Sequence, residues 1–493
     1  MQLLPEAVLV LTALVLLGVT VAVESRSGRA VSGGLTLSIA SAGVLLALLA
    51  LFRVPAEGGS GTPLVAADSL ARWTKGVILS LGLLAVLLPP AKREIANPGE
   101  FHALMLFAMA GLLLAAGTNH LLLLFVSLEL ASLSLYLLAG FPRTARASEA
   151  SLKYFLFGGV SAAFMLFGLS LLYGFSQSAM LPVIAAKLGA APDSALAMAG
   201  LLMVLVGLGF KLAAAPFHYW APDVYQGAPA TAVALVAAAS KVAGVVVLVR
   251  LLVVGFHAAS GSAAWGGMAA GWSLWLAVLA AVSIVFGNIL AIAQTSVRRL
   301  LAYSAVANSG YLLVGLCANG RSAAGAALFY VVVYGLATLG ALAVTAAVER
   351  EAGNDRPESF AGLVRRSPWR AIALLVFLSS LAGIPPLAGF FGKFALFSAA
   401  LAESAESGAA GLVWLVGLAA VMSAVSLYYY LMILKQAFVM EASPSGEIQT
   451  HGISPAHALA VGLPAVALVV LGLVPSLLLD PITSALGELL AAR

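Results

Sequence analysis

The sequence predicts an all-α integral membrane protein of about 14 transmembrane helices, on three observations. Of its 493 residues 62% are hydrophobic, only 9% are charged, and the apolar residues gather into runs of roughly 20 with short polar connections, the length a bilayer core demands. Soluble domains carry charge on about a quarter of their residues, so a water-soluble core is excluded.

Fourteen apolar windows fall near residues 3–23, 35–52, 74–90, 101–118, 120–140, 154–175, 196–216, 230–254, 272–293, 299–317, 323–347, 370–400, 410–434 and 456–479; they are called spans 1 to 14 below. The first opens with Pro5 and Glu6 and has neither a basic leader nor a small-residue cleavage site, so it is expected to be retained rather than removed as a signal peptide. The longest polar connection, from Glu349 to Arg370, is too short for a soluble catalytic domain. The single cysteine, Cys317, lies in an apolar run and reads as packing, which leaves no disulfide framework, no metal pair and no ligand set for an iron–sulfur cluster. A net charge of +5 comes from basic residues set singly in loops, not from the stripe a nucleic acid requires.

Charge asymmetry supports the span count. The odd-numbered connections hold fifteen Lys and Arg, the even-numbered ones and the termini six. The odd connections should therefore be cytoplasmic and both termini on the other side. Cysteines placed between Glu349 and Arg370 should be reached from the cytoplasm, and those at Ser60 or Glu403 from the opposite side.

Two spans should be broken. Span 7 runs through "VGLGFKLAAAPFHYWAPDV", where Gly207, Gly209 and Pro216 flank a lysine. Span 12, through "SSLAGIPPLAGFFGKFALF", has about 30 residues, near 45 Å if straight, and carries Pro385 and Pro386 with Gly389 and Gly392. The broken spans are five apart. Spans 4–8 and 9–13 are thus expected to be two five-helix copies, inverted in the membrane because each crosses an odd number of times. The expected division is 1–100 for spans 1–3, 101–256 and 272–435 for the two copies, and 456–493 for the last span.

A charge at mid-membrane costs roughly 2.5–3.5 kcal/mol on insertion scales and is a functional candidate by default. Four stand out: Glu129 in "LLLLFVSLELASLSLYLL", Lys211 in "GLGFKLAAAPF", Lys241 in "VALVAAASKVAGVVVLV" and Lys393 in "LAGFFGKFALF". Three of the chain's eight lysines are among them. Removal from water weakens an amine's hold on its proton until it can both take one and give one. A contact between Glu129 and Lys211 that forms and breaks would switch that hold, with water beside Ser240 and Tyr136 joining successive sites. The structural alternative pairs Lys211 with Glu129 permanently and lets Lys241 and Lys393 snorkel.

Other residues are weaker candidates. His218 titrates near neutrality and is a possible relay. Arg250 and Lys435 lie toward span ends and read as snorkelling, Asp223 as pinning a turn, and Tyr428, Tyr429 and Tyr430 as an interface belt.

The blocks "LLLLFVSLELASLSLYLLAGF", "ASLKYFLFGGVSAAFMLFG", "KLAAAPFHYWAPDVYQGAPATAVALVAAASK", "NILAIAQTSVRRLLAYSAVANSGYLLVGL" and "LAGIPPLAGFFGKF" follow one another over nearly the whole chain. In them the sequence resembles the antiporter-like membrane subunits of respiratory NADH:quinone oxidoreductase, complex I, and among these subunit N, the bacterial counterpart of mitochondrial subunit 2. The related subunit M has glutamate where Lys393 stands, and subunit L runs on past its last span into a long lateral helix. "SVRRLLAYS" departs from the family, which often has Lys-Arg there, but keeps both charges.

The resemblance implies proton translocation, with Glu129 and Lys211 as the coupled pair, Lys241 as the central lysine and Lys393 as the terminal one. It implies no cofactor or metal in this chain. FMN, iron–sulfur clusters, NADH and quinone would be held by partner subunits, and the partners would include sister antiporter-like subunits in a bacterial inner membrane. Two alternatives are a sodium/proton antiporter subunit and a non-conducting structural spacer.

Overall fold

The computed structural model describes residues 2–27, 30–53, 64–66, 68–88, 95–318, 320–406, 411–441 and 454–491. Ser60 lies outside them, as does the side chain of Glu403. Among these residues every regular element is helical: α1 (Leu4–Ser27), α2 (Gly33–Leu51), α3 (Ser69–Val86), α4 (Pro98–Ala116), α5 (Leu121–Gly140), α6 (Ala145–Ser176) and α7 (Leu181–Ala190), then α8 (Ala195–Leu212), α9 (Ala221–Gly227), α10 (Ala230–Leu235), α11 (Lys241–Val249), α12 (Trp272–Ile292) and α13 (Val297–Cys317). They continue with α14 (Arg321–Ala352), α15 (Leu363–Arg366), α16 (Pro368–Ala382), α17 (Ala388–Glu406), α18 (Val413–Phe438), α19 (Pro455–Leu473) and α20 (Ser476–Ala491). Thirteen helical segments are long and apolar enough to cross a membrane, and α16 with α17 makes a fourteenth crossing.

Hydrogen bonds between connections sort the helix ends into two faces. On the terminal face the 2–3 connection meets the 4–5 one (Ala66 N to Gly117 O, 2.9 Å), 4–5 meets 6–7 (Leu181 N to Asn119 O, 2.9 Å), and 8–9 meets 12–13 (Trp265 N to Gly411 O, 2.9 Å). On the opposite face 9–10 meets 11–12 (Val297 N to Asp355 O, 2.9 Å) and 11–12 meets 13–14 (Gly362 N to Gln436 O, 3.2 Å). Even connections bond even ones and odd connections odd ones, as the count of spans requires; one missed crossing would have mixed them.

Both expected breaks are present. Span 7 stops at Leu212 and resumes at Ala221, and span 12 stops at Ala382 and resumes at Ala388. The two stops are alike. Each ends on a left-handed residue, Ala213 (φ 56°) and Gly383 (φ 86°), and the next amide reaches back five residues, Ala214 N to Gly209 O at 2.8 Å and Ile384 N to Ser379 O at 2.9 Å, the helix-ending pattern that satisfies orphan carbonyls. The first half of span 7 enters from the terminal face and that of span 12 from the opposite face, as inverted copies demand. The third helix of each copy, α6 and α14, has 32 residues.

The segment Ala230–Gly255 is buried but for half-buried Ala230 and Val254, and α13 and the middle of α14 nearly so, while α1, α2, α6, α18 and α19 present apolar side chains outward. Small residues let the central helices approach: a methyl added at Gly111 of α4 would stand 2.7 Å from backbone atoms of Ser127 and Ala131 on α5.

Several features depart from the sequence reading. Ala230–Gly255 is not a plain α-helix: it widens into π-turns at Val236–Ser240 and Arg250–Gly255. Two short helices, α7 and α20, have no counterpart among the expected spans; α20 packs on α3 and α14. Arg250 does not snorkel. It is 2% exposed and grips both Asp68 oxygens (2.8 and 2.6 Å), Ala116 O and Asn119, because its helix is central and offers no route to the interface. Lys75, which the charge count assigns to a connection, is buried inside α3 against Glu6 at 2.6 Å. Tyr429 and Tyr430 are buried and only Tyr428 is exposed, since three consecutive helical residues point about 100° apart and cannot share one face. Cys317 is buried, as expected of packing, and Lys435 is exposed.

Candidate functional site

Unwound backbone inside an apolar bundle has to find hydrogen-bond partners within the protein. At the break of span 7, Trp220 Nε1 donates to Phe210 O (3.1 Å), Ser283 of α12 accepts from Ala215 N (2.8 Å), and Ser309 of α13 donates to Leu212 O (2.5 Å). The break is thus tied to helices of the second copy.

Lys211 ends the first half of span 7. Its Nζ donates to Ser132 Oγ at 3.2 Å, one helical turn along α5 from Glu129. No ion pair within 4.0 Å joins Glu129 to Lys211 among the described residues, and Ser132 holds the amine. Glu129 is half-buried. His218 lies in the same break, buried, its ring 4.7 Å from that of Tyr219. Asp223 pins the second half of the span: it pairs with Lys153 of α6 at 2.7 Å and Arg299 of α13 at 2.5 Å.

Lys241 follows the π-turn of span 8 and is 3% exposed. Its Nζ donates to Ala305 O at 2.8 Å and stands over the Tyr334 ring, 4.5 Å from the centroid. Ser309 Oγ also lies 2.9 Å from Ala305 O, so one hydroxyl separates the broken end of α8 from the carbonyl that holds Lys241.

Lys393, 5% exposed, reaches back across the break of span 12 to the end of α16. It donates to Leu381 O (2.9 Å), Ala382 O (3.1 Å) and Ser423 Oγ (2.9 Å), over the Tyr311 ring at 4.9 Å. A cation there meets the negative end of a helix dipole. Lys241 and Lys393 are both buried and bonded within the bundle rather than extended toward its ends.

A buried polar cluster missed in the sequence fills the space between α12, α13, α14 and α18. Tyr429 donates to Asn288 Oδ1 (3.0 Å) and Asn288 Nδ2 to the Tyr311 hydroxyl (3.0 Å). Tyr330 donates to Asn308 Oδ1 (2.5 Å), Asn308 Nδ2 meets Ser304 Oγ (3.2 Å), and Ser304 bonds the Tyr430 hydroxyl. The signal was present: Ser304, Asn308 and Tyr311 stand at i, i+4 and i+7, a polar stripe along a span.

Comparison with known proteins agrees with this arrangement. A family model described as NADH:quinone oxidoreductase/Mrp antiporter, TM, matches residues 118–423, a segment that includes Glu129, Lys211, His218, Lys241 and Lys393. NADH-quinone oxidoreductase subunit N 2 of Acidobacterium capsulatum is 45% identical over 488 residues, 97% of each chain. A chain of respiratory complex I from Thermus thermophilus with bound aureothin is 35% identical, covers 97% of this chain and 98% of that one, and has a TM-score of 0.76. A chain of the Mrp complex from a Dietzia species shares the fold at 23% identity and a TM-score of 0.81, with 98% and 97% covered. Taken with the fourteen crossings and the two broken spans, these likenesses show that the chain belongs to the NADH:quinone oxidoreductase/Mrp antiporter membrane family and, within it, to the subunit N group of complex I.

Proposed function

We propose that this subunit moves protons across a bacterial inner membrane through Lys211, Lys241 and Lys393, driven by quinone reduction elsewhere in the complex. Glu129 is the switchable partner of Lys211, and His218 is a relay at the break of span 7. NADH, FMN, iron–sulfur clusters and quinone belong to partner subunits, and sister antiporter-like subunits adjoin this one. The face with the odd connections is cytoplasmic. Residues 101–256 and 272–435 act as the two halves of the path.

The observation that carries this reading is Lys241, a mid-span amine held by a carbonyl and a ring and by no carboxylate. A lysine kept only for packing would pair with an acid, as Lys75 does with Glu6. Three ammonium groups along the path also repel sodium, which seeks oxygen ligands; that favours the proton over the sodium reading. A spacer subunit would gain nothing from lysines that cost several kcal/mol to insert.

Lys241→Met tests the proposal, because methionine matches the length and removes the charge. The complex should assemble and keep its NADH:ferricyanide activity, whereas NADH:quinone activity and proton pumping in the same membranes should fall at least tenfold. Retention of all three would overturn the proposal.

A further inference from the structure

Burying an amine that must be charged at one moment and neutral at the next sets a problem that a carboxylate partner solves badly. Once the amine gives up its proton the carboxylate is left as an unpaired buried anion. A π-face attracts the ammonium through its quadrupole and carries no net charge when the amine is neutral.

Cation–π contacts of energetic weight occur about once per 70–80 residues, so a chain of this length would hold about six. The described residues hold two. Of the 25 Lys and Arg in the chain 21 are among the described residues, and both of these contacts take path lysines: Lys241 over Tyr334 at 4.5 Å and Lys393 over Tyr311 at 4.9 Å. The two rings come from different helices, α14 and α13, and serve lysines on different spans, so the arrangement arises twice independently. In each case the remaining acceptors are neutral oxygens, Ala305 O for Lys241, and Leu381 O, Ala382 O and Ser423 Oγ for Lys393.

The Tyr334 hydroxyl is buried, with Thr338 and Tyr225 near it but in no bond of good geometry, and it is the ring face that meets the amine. At 311 the hydroxyl accepts from Asn288 Nδ2, which holds the ring in place beneath the amine.

We infer that Tyr334 and Tyr311 are positioning residues for translocation, each supplying a neutral π-platform that holds Lys241 or Lys393 in its charged form and leaves no buried counterion when the proton departs. This rests on the translocation reading above and adds to it the residues that hold the charge.

The test removes quadrupole strength without changing shape. Position 334 is replaced in the intact complex by phenylalanine and then by its mono-, di- and trifluorinated forms, with the same series at buried Phe101, which no ammonium covers, as control. Phenylalanine should pump like the parent. Pumping per quinone reduced should then fall in steps with each fluorine, by up to about tenfold overall, while the Phe101 series stays level. A level series at 334 with pumping retained would overturn the platform, as would equal loss in both series. Tyr334→Leu answers the same question where fluorinated residues enter poorly: loss with leucine and rescue with phenylalanine supports the platform, and equal activity in the two sinks it. Lys241→Met in parallel separates the two ideas. If it pumps normally, the translocation reading fails; if it is dead and the fluorine series is level, only the platform does.

Discussion

Asp68→Asn should be among the most damaging single changes outside the lysine path. Asp68 has two tasks: its Oδ1 caps α3 by accepting from Ala71 N at 2.7 Å, and its two oxygens pair with the Arg250 guanidinium at 2.8 and 2.6 Å. Asparagine keeps the cap acceptor but removes the charge and turns one oxygen into a donor facing a donor. Arg250, 2% exposed, cannot respond by losing its proton, and keeps only neutral acceptors: the retained Oδ1 at position 68, Ala116 O at 3.0 Å and Asn119 at 3.4 Å. Breaking a buried pair costs about 3–5 kcal/mol; Asp68 is 22% exposed in its side chain, which favours the lower end, about 3 kcal/mol. Arg250→Met should cost less, because the orphaned carboxyl can take up a proton, and the double variant should lie within about 1 kcal/mol of the parent.

The pH dependence has a definite sign. Burial pushes the Asp68 carboxyl up, but Arg250, the Ala71 amide and Lys75 together outweigh it and the net direction is down. Its stabilisation is therefore full above the ordinary carboxylate range and is lost as pH falls through the lowered value. In Arg250→Met the Ala71 amide and Lys75 still act against burial, so the loss of stability on acidification should be smaller than in the parent. The assay is unfolding of the purified membrane arm in mixed detergent micelles, with native-gel assembly beside it. A single variant within about 0.5 kcal/mol of the parent, or a double variant as weak as Asp68→Asn, would refute the argument. The pair matters to the path because Arg250 fixes the end of the segment carrying Lys241, nine residues or roughly 13 Å away.

Three further outcomes are expected. Lys211→Arg keeps a cation that stays protonated above about pH 12, so the complex should assemble while proton uptake into proteoliposomes falls at least tenfold; near-normal uptake would make Lys211 a purely structural cation. Gly389→Ala would drive a methyl into the Ser380 carbonyl where the two halves of span 12 overlap, parting Lys393 from Leu381 and Ala382 at a cost of about 1–3 kcal/mol and with loss of coupled activity, which unchanged pumping would contradict. Cysteine at exposed Asn354 should be labelled from the cytoplasm and at Met268 from the other side, and labelling of both from one side would refute the two-face assignment.

The crossings were readable because a bilayer imposes one length on every span, and the breaks because glycine and proline sat where no helix could pass unbent. The three lysines were conspicuous against alanine and valine. Lys75, Glu6 and Arg250 were not, because charges near span ends look the same whether they reach water or a buried partner, and only tertiary packing decides. The π-turns around Lys241 have no compositional mark. Glu129 and Lys211 were expected to make a contact that forms and breaks; Ser132, one turn away on the same helix, holds the amine here, and spacing alone does not tell a made contact from a broken one.

The asparagines of the buried cluster act as electrical insulation. An amide nitrogen keeps its hydrogens and an amide oxygen does not hold a proton at ordinary pH, so Asn288, set between the hydroxyls of Tyr429 and Tyr311, cannot relay a proton from one to the other. Tyr330 and Ser304 meet Asn308 on the same terms. On the proposed path this buried cluster would be a dielectric strut: it would stiffen the ground beneath Lys393 and close the side-chain shortcut through α12, α13 and α18, so that a proton leaving one lysine for the next would travel by water.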